Sequence, residues 1–187
     1  ECDAIILASG FQSTKKLLEK VDENLSQRQF GEATRITSSV IEAALESRPL
    51  NGKHCIIDAD KRMVALDYIA IQPKLGSTGS HISAIAIDGL SKEDRRYKTP
   101  EDRQMKLEQF LDSHLAGWQS HIIGELKQKT ITTHVICPNA DYLSFSKYNI
   151  ILAGDWLPSD YSLSDRSTVS GQQAVSAIRE LSTKNKQ

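Results

Sequence analysis

The sequence predicts a mixed α/β chain, with strand-and-helix segments at both ends and an α+β middle rich in antiparallel strands. Three observations carry this. Short, mostly apolar runs at 4–8 (AIILA) and 148–153 (YNIILA) read as strands covered on both faces, as in a parallel sheet. Helical spacing of apolar residues follows each of them. Between them, residues 54–88 alternate apolar and polar side chains in runs broken by turn residues.

The first strand, 4–8, ends on Ser9 and Gly10. A helix is expected over 13–28, where Leu17, Leu18, Val21 and Leu25 recur at helical spacing and Ser13 or Thr14 supplies a capping oxygen. Residues 32–48 pull two ways. IEAALES favours helix, whereas Thr34, Ile36, Ser38 and Val40 favour strand, and the strand is preferred. Residues 54–58 and 63–71 then form a hairpin around the polar turn at 59–62. PKLGSTGS at 73–80 is a loop, and 81–88 is a further strand with Ile82, Ala84 and Ala86 on one face.

Residues 91–103 are charged and expected on the surface. A long helix is expected from Pro100, a good first-turn residue, to Leu126. Its apolar face would hold Met105, Leu107, Phe110, Leu111, His114, Leu115, Trp118, Ile122 and Ile123. A strand over 130–137 stops at Pro138, and a second covers 148–153. A loop over 157–165 leads into a last helix over 166–181.

Composition removes several classes of function. Lys and Arg number 23 against 24 Asp and Glu, for a net charge of −1. There is no broad basic surface to recommend nucleic acid or an acidic membrane as a partner. No apolar run approaches the roughly 20 residues of a membrane-spanning helix. Cys2, Cys55 and Cys137 are too scattered for a disulfide framework, so a reducing, cytoplasmic setting is expected, with Cys55 and Cys137 inert in strands. The five histidines show no metal-ligand spacing; His114 and His121 would lie two turns apart on the long helix. No serine sits in a G-x-S-x-G elbow, so hydrolase chemistry has no support.

The informative stretch is the tail. A buried strand ends at Ala153-Gly154, and Asp155 stands at its carboxyl end, where α/β sheets bind ligands. Gly154 allows a ligand to approach the backbone closely. A carboxylate there can accept a hydrogen bond from a sugar hydroxyl. A helix then begins near Asp165, and its first amides carry the positive end of the helix dipole. Trp156 either shields a bound group, lines a cavity or fills the core.

This tail resembles the C-terminal part of FAD-dependent amine oxidase-like oxidoreductases, a superfamily that includes protoporphyrinogen oxidase and carotenoid desaturase relatives. The resemblance rests on Ala153-Gly154-Asp155-Trp156, then Ser170-Gly171 with Ala174 three positions on, and on the opening DAIILAS. It is specific over 153–187, suggestive over 1–10 and weak between. It implies a Rossmann-like FAD/NAD(P)-binding fold around a substrate domain. Residues 1–12 would be a returning strand of the FAD domain, 13–137 the α+β substrate domain, and 138–187 the closing strand, loop and helix. It also implies FAD as cofactor, a small-molecule substrate, and hydride transfer to the flavin. Gly154, Asp155, Trp156, Leu163, Ser164, Asp165 and Ser167 would contact the cofactor, with the amides of Leu163, Ser164 and Asp165 at the flavin pyrimidine edge.

Two departures stand out. Arg166-Ser167 occupies the place of a Gly-Ala pair in the superfamily pattern. The ten glycines include no G-x-G, so the N-terminal G-x-G-x-x-G phosphate cradle is not in this chain. The cradle is then expected in a preceding segment or a separate chain. The alternative is a flavin-free binding module that has lost the cofactor.

Overall fold

The computed structural model describes residues 2–47, 53–76, 79–89, 94–160 and 163–184. In chain order the elements are β1 (Ile5–Leu7), α1 (Phe11–Glu19), α2 (Glu23–Phe30), β2 (Thr34–Leu45), β3 (Cys55–Asp58), β4 (Met63–Asp67), α3 (Tyr68–Ile71), β5 (Ser80–Ile87), α4 (Pro100–His114), β6 (Ile122–Ile136), β7 (Ile150–Leu152) and α5 (Leu163–Lys184). The class is mixed α/β, with one parallel and one antiparallel sheet. Two compact units emerge: Glu1–Arg35 with His134–Gln187, and Ile36–Thr133. The sequence-based boundaries stood at 12/13 and 137/138, so α1 and α2 here belong with the terminal segments.

In the first unit, β1 and β7 pair in parallel, with Ile5 opposite Ile150 and Leu7 opposite Leu152. Leu152 N–H also donates to the Tyr142 carbonyl at 2.9 Å, which covers the other side of β7. Among the described residues no strand pairs with the outer side of β1. Both faces of this strand were expected to be buried; instead Ile5 and Ile6 are 49% and 39% exposed. The single helix expected over 13–28 is two. The Asp22 carboxylate accepts from Leu25 N–H at 2.9 Å and starts α2 afresh, an N-cap that ends the register of α1. Phe11, Leu18, Leu25 and Phe30 turn inward with Phe145, Leu152 and Trp156. Leu17 and Val21, expected on the buried face, are exposed.

The second unit is a five-stranded sheet in the order β3-β4-β5-β2-β6. β2 is a strand, as its alternation indicated, and pairs antiparallel with β5 from Ser38–Ile87 to Leu45–Ser80. Its core side is the odd-numbered one: Ile41, Ala43 and Leu45 pack with Met63, Ala65, Ile82, Ala84 and Ala86, and with Leu107, Phe110 and Leu111 of α4. The hairpin is present, but β4 stops at Asp67 rather than at 71. The Asp67 carboxylate accepts from Ile69 and Ala70 N–H at 3.1 Å each and winds the chain into α3.

The long helix expected over 100–126 is overturned beyond His114. Pro100 opens α4, as read from the sequence, and the structure adds Thr99 as its cap, whose hydroxyl accepts from Asp102 N–H. Gly117, at a φ of 74°, breaks the chain away after Leu115. Trp118 still reaches the core, but Ile122 and Ile123 open β6, a 15-residue edge strand. His121 therefore lies off the helix that carries His114. Arg103, expected on a solvated run, is buried. Its guanidinium donates to Asp88, Ser39, Thr37 and the Lys129 carbonyl at 2.9–3.1 Å. Cys55 is exposed on β3, not inert in the core; Cys137 is buried.

Candidate cofactor site at the end of β7

β7 delivers the chain into Ala153, Gly154 and Asp155, and α5 begins at Leu163, three residues earlier than expected. Leu163, Ser164, Asp165 and Arg166 thus form the first turn of a 22-residue helix. The first N–H groups of a helix have no partner within it and carry its positive end. Ser170 ties this helix to the strand end. Its hydroxyl accepts from Gly154 N–H at 3.0 Å and donates to the Ser167 carbonyl at 2.9 Å. Ala174 and Ala177 pack against Ile151 and Ala153, so small residues set the close approach of α5. Gly171 plays no part in that packing: a Cβ there would stand in open space.

Gly154 is explained by its neighbour. A Cβ there would lie 2.3 Å from the Trp156 indole nitrogen and 2.8 Å from its Cε2. The indole is 2% exposed and packs edge-on against Phe11 and Phe30. Of the readings for Trp156, the structure shows a core side chain. Among the described residues its buried N–H has no hydrogen-bond partner.

The Asp155 side chain is different: it stands 45% exposed at the carboxyl end of β7. His134 of β6 stands beside it, with Nδ1 3.7 Å from the carboxylate. Arg166 completes the group. Its Nη1 donates to His134 Nε2 at 3.2 Å and to the Asp155 carbonyl at 3.4 Å, and its Nη2 donates to the Ser159 carbonyl at 3.2 Å. A guanidinium only donates, so Nε2 is the acceptor and the proton of a neutral imidazole sits on Nδ1, facing Asp155. Arg166 thereby braces the loop between β7 and α5. Sequence reasoning missed His134, which lies 21 residues before Asp155 on a separate strand; only the fold brings it there.

The region offers an FAD-like group a half-exposed carboxylate, which fits a ribityl hydroxyl, and a helix N-terminus, which fits an electron-rich ring edge. Gly154 and Trp156 pack on each other and set the backbone path that presents Asp155. Ser164, Asp165 and Ser167 are exposed on the first turns of α5.

No protein-family model and no curated protein matches the chain. Among solved structures, an oxidoreductase from Methanosarcina mazei matches with a TM-score of 0.56 at 13% sequence identity. The match covers 96% of this chain and 43% of that one, so this chain spans less than half the length of that protein. The likeness is one of fold. Among the described residues no helix is long and apolar enough to cross a membrane.

Proposed function

We propose that this chain supplies the C-terminal part of an FAD-dependent, amine oxidase-like oxidoreductase that oxidises a small organic molecule in the cytoplasm. The observation that carries the reading is Asp155: a half-exposed carboxylate at the carboxyl end of a parallel strand, joined through Ser170 to a 22-residue helix. The fold likeness to an oxidoreductase adds to it. When bound, FAD supplies the hydride acceptor.

The chain's own residues would hold and tune that group. Asp155 would accept from a ribityl hydroxyl, and the amides of Leu163, Ser164 and Asp165 would favour negative charge at the ring edge facing them. Gly154, Trp156 and Ser167 would fix the path of the backbone along the cofactor. The G-x-G-x-x-G cradle would come from another segment of the same protein or from a partner chain. The outer side of β1, unpaired by any described strand, is where such a sheet would continue. No general base is assigned.

A second reading, a flavin-free binding module, is favoured by one observation. Arg166 stands where the superfamily has glycine, and it is bonded to His134 and to two carbonyls of the adjoining loop. An absorption spectrum of the intact protein, with any chain that copurifies, separates the two. Bands near ~375 and ~450 nm, weakened by Asp155→Ala, are expected of the oxidoreductase. A colourless protein that takes up no added FAD leaves the binding module.

A further inference from the structure

The β3–β4 hairpin turn, the segment before α4 and α4 itself border a cleft of about 540 Å³. Small-molecule sites typically run from roughly 300 to 1,000 Å³. Tyr97 and Phe110 form its apolar wall, and both are buried. The Tyr97 hydroxyl donates to the Lys61 carbonyl, which fixes the ring in place. Three cationic side chains, Lys61, Arg96 and Lys106, share the lining with one carboxylate, Asp60.

The three cations are not equivalent. Lys61 is held by Asp58 at 2.7 Å, and Lys106 by Asp102 at 3.2 Å with its ammonium 5.5 Å from the Tyr97 ring centre. Arg96 donates to the Asp60 backbone carbonyl, and among the described residues it forms no ion pair. A guanidinium at the mouth of an aromatic-walled cleft has the fork geometry that a carboxylate or phosphate matches.

We propose that this cleft binds a small organic anion with a flat apolar body, its acidic group on Arg96 and its ring against Tyr97 and Phe110. The site lies wholly within the second unit and stands independently of the flavin reading.

Titration of the intact protein at constant ionic strength with benzoate, inorganic phosphate and benzylamine tests it. Benzoate is expected to bind saturably and to shift the ring resonances of Tyr97 and Phe110. Arg96→Ala is expected to weaken it about tenfold, and Arg96→Lys to weaken it less, since the charge stays and the fork goes. Absence of saturable benzoate binding overturns the proposal. So does benzoate binding unchanged in Arg96→Ala, or benzylamine binding as tightly as benzoate. Phosphate binding as tightly as benzoate, with the rings unmoved, overturns the assignment of an aromatic body.

Discussion

Arg103 and Asp88 form an ion pair at 3.0 Å in which the guanidinium is 1% exposed. Burial pulls the guanidinium pKa below its ordinary value, and the Asp88 charge works against that pull. Ser39, Thr37 and the Lys129 carbonyl use the remaining donors, so one side chain of α4 joins β2, β6 and the turn after β5. Arg103→Ala strands the Asp88 carboxylate and these oxygens, and is expected to cost about 3–5 kcal/mol in chemical denaturation. Arg103→Lys is expected to recover little of that, because one ammonium cannot reach all four partners.

Asp22 gives the fold an acid-sensitive point. Leu25 N–H first, then the Tyr148 hydroxyl and Lys147, hold its carboxyl down at about 2. A depressed carboxylate contributes its full stability above its unfolded pKa of about 3.9 and loses it as pH falls toward the folded value. Stability should therefore drop between about pH 4 and 2 in the wild type. Asp22→Asn keeps a capping oxygen but has no charge to lose, so denaturation midpoints measured across that window should show a shallower slope.

Gly154→Ala tests the packing at the candidate site. The new methyl would meet the indole of Trp156 from 2.3 Å and displace it from Phe11 and Phe30. Overpacking of this kind costs about 1–3 kcal/mol, and the emission of Trp156 should shift with it. Gly171→Ala, where a Cβ meets nothing, should leave the emission unchanged and add about 0.5–1 kcal/mol of stability, because alanine is the better helix former inside α5.

Thiol chemistry should divide the cysteines. Burial pushes the Cys137 thiol up to about 12, while Cys2 and Cys55 are exposed. At pH 8, native protein treated with iodoacetamide should gain label at Cys2 and Cys55 by mass spectrometry. Label at Cys137 should wait for denaturant.

The strand-and-helix ends and the central antiparallel strands were legible because hydrophobic period follows from burial. β2 could be read against the helix propensity of IEAALES because a strand between two others rewards β-branched side chains over backbone preference. The fault in α4 has a clear source. Trp118, Ile122 and Ile123 continue the helical spacing of Leu111 and Leu115, so periodicity alone ran past the break. Gly117 was the stop signal, and it outweighs the period. The split between α1 and α2 was hidden for a related reason, since Asp22 reads as one more polar residue on a helix face until its side chain is seen to cap Leu25. At the candidate site, Asp155 and the start of α5 were visible in the tail, whereas the link to His134 depends on β6 arriving from a distant part of the chain.

The outer side of β1, unpaired among the described residues, also bears on how this polypeptide behaves in a tube. A short parallel ribbon with Ile5 and Ile6 outward offers the next molecule both hydrogen-bonding groups and greasy surface. Handled alone, the chain should become stickier as it is concentrated, with light scattering rising well before saturation. A lysine at Ile5 should make it a better-behaved sample.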